Sequence, residues 1–256
     1  MSIKTEADFN ALKKIGVIVA DCLQLMASKL EPGMTTLDLD KIGADYLAKF
    51  GARSAPILVY DFPGTTCISI NPQVAHGIPG AQVIQPGDLI NIDVSAELGG
   101  FFADTGGSFI VPPIDVKKQA VCDATKRALR AAIQSAVAGK KLNSIGRAIE
   151  NEADKLGYTI IENLGSHGVG RGLHEEPKFI PGYYDPDDNR VLKENMVITI
   201  EPFLSTGAHE VDDSGDGWTL ITPPKFLSAQ YEHTMVITKS KPIIITQPTK
   251  FLMGEH

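Results

Sequence analysis

Gly87-Asp-Leu-Ile-Asn-Ile-Asp93-Val-Ser-Ala-Glu-Leu-Gly99-Gly100-Phe-Phe-Ala-Asp104-Thr-Gly106 is the stretch from which the fold can be read. Two runs alternating apolar and polar residues flank Gly99-Gly100, a dipeptide suited to a two-residue hairpin turn. With that loop, Leu98 pairs with Phe101 and Asp104 falls opposite Ser95. Side chains alternate along a strand, so Ser95 shares a face with Asp93, Asn91 and Leu89. Asp93 and Asp104 are then diagonal neighbours, their Cβ atoms roughly 7 Å apart. Two carboxylates on one face of an apolar sheet repel, and protonation or a cation must neutralise them. The structural alternative puts Asp93 at a loop cap and Asp104 at an exposed edge. A metal is the more economical reading, but on the hairpin alone the two stand about even.

Working outward, apolar residues at Phe9, Leu12, Ile15, Ile18, Val19, Cys22, Leu25 and Met26 predict an amphipathic helix from Glu6 to Leu30. Glu31-Pro32-Gly33 ends it. Thr36 is the expected cap of a second helix, Leu37 to Phe50, closed by Gly51. Beyond the hairpin the plan repeats, with helices expected over Val116–Val137 and Leu142–Leu156. Strand-like runs then follow at Tyr158, Met196, Tyr231 and Ile243. Helices followed by strands, twice, predict an α+β protein built from two related halves, about 1–112 and 113–256, sharing one core. The whole of 1–256 is expected to be a single catalytic domain.

Composition excludes several classes of protein. The chain has 256 residues, 43% apolar and 21% charged, enough for a sizeable core and inconsistent with disorder. The net charge of −7 gives no basic surface for nucleic acid. No apolar run could span a bilayer, and the start lacks the pattern of a signal peptide. Cys22, Cys67 and Cys122 share no CxxC spacing, which suits a reducing, cytoplasmic compartment rather than a disulfide framework.

Other candidate groups are weaker alone. His167-Gly-Val-Gly-Arg-Gly-Leu-His174 places two histidines around three glycines, a backbone that can pass close to a ligand. Glu201 and Glu232 sit among β-branched residues in strand-like runs, where a charge is costly unless paired or metal-bound. Either could equally be a salt-bridge partner.

Taken together these pieces resemble the type I methionine aminopeptidases, which have the pita-bread fold of an antiparallel sheet with helices on one side and two pseudo-symmetric halves. The motifs that carry the resemblance are Cys67-Ile-Ser-Ile-Asn-Pro-Gln-Val-Ala-His76-Gly-Ile-Pro, Asn91-Ile-Asp93, Ala103-Asp104-Thr, Gly165-Ser-His167-Gly, Leu173-His174-Glu-Glu-Pro177, Thr199-Ile-Glu201-Pro and Gln230-Tyr-Glu232-His-Thr. Each is short. Their joint order and spacing are specific.

The resemblance implies an aminopeptidase that removes the N-terminal methionine of nascent polypeptides. It implies metal ligands at Asp93, Asp104, His167, Glu201 and Glu232, with Asp104 and Glu232 bridging two ions. Four carboxylates balance two divalent cations in charge. Oxygen ligands with one imidazole suit Mn²⁺, Co²⁺, Fe²⁺ or Zn²⁺ alike. Such ions lower the pKa of water and polarise a carbonyl. Glu201 would shuttle the proton, His174 would stabilise the oxyanion, and His76 would contact the scissile amide nitrogen. Val59, Phe62, Cys67, Leu173 and Trp218 match the apolar cup for the substrate side chain. Leu173 stands where the family has an aromatic residue, and Val59 replaces a common tyrosine.

Two rivals follow. A same-fold dinuclear hydrolase with a reshaped pocket would take other amino-terminal residues or ester-like substrates. A non-catalytic binder on the scaffold would be expected to lack some ligands. Proline-directed relatives usually carry an additional N-terminal domain, for which a first helix starting near residue 6 leaves no room. A monomer is expected, without nucleic-acid or membrane partners. Transient ribosome contact fits a nascent-chain substrate, although no basic extension offers a dock.

Overall fold

Gly99 and Gly100 both adopt left-handed backbone, with φ of 60° and 81°. A two-residue hairpin turn of this hand requires that conformation, and glycine reaches it without a Cβ clash. The strands Leu89–Leu98 and Phe101–Ile110 run antiparallel on either side, with Leu98 opposite Phe101 and Asp104 opposite Ser95. The expected register is therefore the observed one. This structure, a computed structural model, describes residues 2–249; Met1 and residues 250–256 of the expected domain lie outside the described residues.

Helix α1 (Glu6–Lys29) begins at Thr5, whose hydroxyl accepts from the Asp8 amide while the Asp8 carboxylate accepts from the Thr5 amide. It buries Leu12, Ile15, Val19 and Met26 against Ile90, Ile92 and Val94 of the hairpin. Helix α2 (Thr36–Lys49) uses the same reciprocal cap, but at Thr35 rather than the expected Thr36. Thr36 is buried instead, its hydroxyl bonded to the backbone of Gly80.

A short helix, α3 (Ala55–Tyr60), was not expected. Ser54 caps it by accepting from the Ile57 amide, Pro56 occupies its first turn, and Asp61 ends it at φ 56°. Helices α4 (Val116–Ser135) and α5 (Asn143–Leu156) pack together over a second core of Ala128, Leu142, Ile145, Ile149, Ile198, Ile200 and Met235.

The two halves do not share the one core expected of them: the buried apolar residues form two large clusters and two small ones, and the strands divide among them. Leu89–Leu98 pairs with Cys67–Ile70 on one edge and the hairpin partner on the other. A five-stranded antiparallel sheet runs Ile243–Ile244, His233–Val236, Val197–Ile200, Gly165–Gly168, Glu175–Pro181. A bridge between Gly107 and Tyr231 joins it to the hairpin through the chain leading into His233. The fold is thus α+β with antiparallel strands, as the sequence predicts. The later strands are shorter than their apolar runs, and Glu201 and Glu232 lie just beyond the paired segments. No described helix is long and apolar enough to cross a membrane.

Candidate metal centre

The seam between the hairpin and the five-stranded sheet gathers the acidic residues. The Glu232 amide donates to the Gly106 carbonyl at 3.0 Å, and the Thr105 hydroxyl donates to the Glu232 carbonyl at 2.8 Å. The Asp104 amide donates to the Thr234 hydroxyl, which in turn donates to the Asp104 carbonyl. These bonds fix the segment around Glu232, just before His233–Val236, against the hairpin strand that carries Asp104. On the far side, the Thr199 hydroxyl accepts from the His167 amide at 3.0 Å and donates to Glu201 Oε1 at 3.0 Å. Ser166 accepts from the Glu201 amide.

Three of the five expected ligands converge, with Glu201 and Asp93 beside them. Ligand atoms of Asp104, His167 and Glu232 all lie within 4.8 Å of one another. His167 Nε2 is 3.5 Å from Glu201 Oε1 and 3.8 Å from Asp104 Oδ2. The Asp93 carboxyl, its pKa raised first by burial, lies close enough to Asp104 to be raised further by its charge. His167 Nδ1 lies 2.9 Å from the Gly168 carbonyl. That contact makes Nδ1 the protonated nitrogen and leaves Nε2 bare toward the acids.

Burial dominates the electrostatics. Removal from water pushes the carboxyls of Asp93, Glu201 and Glu232 well up, and the neighbouring negative charges push in the same direction. Burial raises Asp104 to about 6. Burial also lowers His167 to about 3, reinforced by His174. Without a cation such a cluster holds protons in place of one. Asp104 Oδ1 and Glu232 Oε1 are buried with no hydrogen-bond partner among the described residues. An unsatisfied charged acceptor is costly, and a divalent ion would satisfy both. The residues present therefore fit a metal.

A cavity of about 390 Å³ opens above this cluster. Phe62, Cys67, Leu173 and Trp218 line it as expected, with Phe62 and Trp218 edge to face at 5.2 Å. Val59 does not. It is 42% exposed on α3, and the cavity wall is formed instead by Pro56 and Tyr60. Positions four apart share a helix face, so Pro56 and Tyr60 line the cavity together while Ile57, Leu58 and Val59 do not. Phe203, Lys178 and Phe179 also line the cavity and went unnoticed in the sequence.

His76 and His174 reach the same cavity. His76 has a left-handed backbone, φ 54°, a strained conformation for a residue with a side chain. Desolvation lowers its pKa. His174 is lowered to about 4, first by desolvation and then by His76 and Lys178. Its ring centroid is 4.1 Å from that of His167. The Cys67 thiol is pushed well up, by burial first and the acids next, which makes it a poor nucleophile.

Comparison with known proteins gives a consistent picture. Metallopeptidase family M24 matches residues 10–239. Methionine aminopeptidase 2 of Bacillus subtilis is 50% identical over 248 residues, covering 96% of this chain and 100% of that one. The crystal structure of methionine aminopeptidase from Rickettsia prowazekii superposes with a TM-score of 0.91 at 35% identity, covering 96% of this chain and 100% of the other. That of methionine aminopeptidase from Thermotoga maritima gives 0.92 at 32% identity, again covering 96% and 100%. Sequence and fold agree over nearly the full length, and the chain belongs to metallopeptidase family M24, among its methionine aminopeptidases.

Proposed function

We propose that this chain removes N-terminal methionine from peptides and nascent proteins, with two divalent cations held by Asp93, Asp104, His167, Glu201 and Glu232. The supporting observation is the pair of buried, unpartnered oxygens on Asp104 and Glu232 close to His167, with Asp104 and His167 lining an apolar-walled cavity. Mn²⁺, Co²⁺, Fe²⁺ or Zn²⁺ would suit that donor set. Bound there, the ions supply an acidified water and a polarised substrate carbonyl.

The remaining work falls to side chains. Glu201, held through one oxygen by Thr199, takes the proton of the attacking water and passes it toward the leaving amine. His174 donates to the oxygen of the tetrahedral intermediate, and His76 meets the scissile nitrogen from the opposite wall. Phe62 and Trp218 supply the apolar surface for the methionine side chain, with Leu173 and Cys67 beside them. Ligands come from both halves of the chain, which supports reading it as one catalytic domain. Its proposed setting is the cytoplasm, where nascent chains are met, with any ribosome contact transient and the protein acting as a monomer.

The test is hydrolysis of Met-Ala-Ser, Leu-Ala-Ser and Pro-Ala-Ser by chelator-treated protein reloaded with each metal. Metal-dependent cleavage of the methionine peptide alone supports the whole reading. Cleavage of other first residues keeps the metal site but favours a reshaped pocket, a second reading motivated by Leu173 in the wall. No turnover with any metal would overturn the reading.

A further inference from the structure

The Tyr60 hydroxyl lies 2.6 Å from His174 Nδ1, and the two rings sit 5.7 Å apart, centroid to centroid. Both residues line the cavity above the carboxylate cluster. We propose that Tyr60 is a positioning residue, donating its hydroxyl proton to His174 Nδ1 so that the imidazole carries its own proton on Nε2 and presents it to the substrate oxygen. This rests on the reading of His174 as the oxyanion donor.

Hydrogen-bond directionality carries the argument. A neutral imidazole has one N–H and one bare nitrogen, while a phenol can act as donor or acceptor. An oxyanion only accepts. If Nδ1–H donated to Tyr60, Nε2 would be bare and its lone pair would meet the developing negative charge. With Tyr60 donating, the two bonds run head to tail, from phenol to ring and from ring to oxygen. No proton has to change place for His174 to act.

The surroundings assign this task to Tyr60. Among the described residues Tyr60 is the hydrogen-bond partner of the His174 ring, whereas His167 uses the Gly168 carbonyl and His233 uses Thr246. His174 sits at the end of a glycine-containing loop that is itself tethered through Arg171 to the Gly100 carbonyl and to Asp8. Tyr60 closes α3, a helix fixed at its start by Ser54, whose hydroxyl both caps the helix and donates to the Thr65 carbonyl at 2.7 Å. A short, capped helix thus holds the His174 ring at Nδ1, while the His167 ring packs beside it. The cavity-facing position of Tyr60, rather than Val59, is what makes the contact available.

Tyr60→Phe removes the hydroxyl and keeps the ring, at a site 43% exposed where the fold does not depend on it. The experiment uses the zinc-loaded protein, with kinetics on Met-Ala-Ser and ¹⁵N spectra of its imidazoles. The expected result is a fall in kcat of about three- to tenfold, the range of one net hydrogen bond. KM should stay within about twofold, and the His174 nitrogens should move from the Nε2–H pattern toward a tautomer average. A raised KM with unchanged kcat would make Tyr60 a wall of the substrate pocket and overturn the proposal. Unchanged kcat and unchanged ¹⁵N shifts would overturn it as well. His174→Ala separates the layers. A loss of about 100-fold or more in kcat upholds the oxyanion role. Retained kcat would sink that role, and with it the basis of the proposal.

Discussion

Asp104, on a hairpin strand, and Glu232, just before His233–Val236, are held side by side by the bond from the Glu232 amide to the Gly106 carbonyl, and each keeps one buried carboxylate oxygen with no partner among the described residues. Most buried polar atoms in folded proteins are paired. Two unpaired carboxylate oxygens on a rigid seam, with His167 opposite, describe a cation site kept open at a cost to stability.

That cost has a pH signature. A carboxyl whose folded pKa is raised binds more protons folded than unfolded, so stability falls as pH rises through the interval. His167 and His174, lowered to about 3 and about 4, act in the opposite sense up to about 6.5. Above that the unfolded imidazoles lose their protons too, and the raised carboxyls of Asp93, Glu201 and Glu232, joined by the raised thiols of Cys22 and Cys67, set the slope. The melting temperature of chelator-treated protein should therefore drop between about pH 6.5 and 8, and saturating Mn²⁺ should restore it. Calorimetric titration should also register proton release on metal binding. A melting temperature that rises over this interval would contradict the assignment.

Gly106 is packed against the Gln230 side chain, and a Cβ there would come within 2.5 Å of Oε1 and 2.8 Å of Nε2. Gln230 donates to Glu232 Oε2 at 3.2 Å and accepts from Asn91 at 2.8 Å. Gly106→Ala should displace that amide and loosen Glu232, weakening metal affinity by about ten- to a hundredfold, the usual effect of disturbing a ligand's support. Metal titration against a fluorescent chelator would measure it. Unchanged affinity would show that Gln230 does not orient the ligand.

Thr199 serves two ligands with one hydroxyl, accepting from the His167 backbone and donating to Glu201. Thr199→Val keeps the shape and removes both bonds. Turnover of Met-Ala-Ser should fall more than the melting temperature would suggest, because Glu201 loses the bond that directs its free oxygen. Equal losses in Thr199→Val and in a distant destabilising variant such as Gly16→Ala, whose new methyl would collide with Ile245, would argue for a merely structural role.

Trp218 packs edge-on against Phe62 and forms part of the cavity wall. Trp218→Ala should raise KM for the methionine peptide and narrow its advantage over the leucine peptide. Differences of one methylene in an apolar pocket amount to about 1–3 kcal/mol. Leu173→Phe should change the same ratio by filling the opposite wall. If neither substitution alters the preference, specificity resides elsewhere.

What could be read in advance follows the range of the interactions involved. Gly99-Gly100 and the alternation around it encode their own register, so the placement of Asp104 opposite Ser95 needed no tertiary knowledge. The approach of Glu201 and Glu232 to that hairpin depends on contacts between residues far apart in the chain, which no local pattern encodes; only the joint order of motifs suggested it. Helix α3 was missed because a single turn and a half shows no periodicity. Ser54 followed by Pro56 was the available signal, a cap with proline just inside it. The motif match put Val59 on the cavity and left Tyr60 out, and the missed helix withheld the correction, since a residue four positions after Pro56 shares its face.

The most direct test compares wild-type protein with Asp104→Ala, each stripped with chelator and reloaded with Mn²⁺ or Co²⁺, on Met-Ala-Ser. The account predicts that the wild type regains turnover with metal, while Asp104→Ala stays folded, binds metal poorly and cleaves nothing measurable. Turnover at the wild-type rate in Asp104→Ala, or in wild type without any metal, would contradict it.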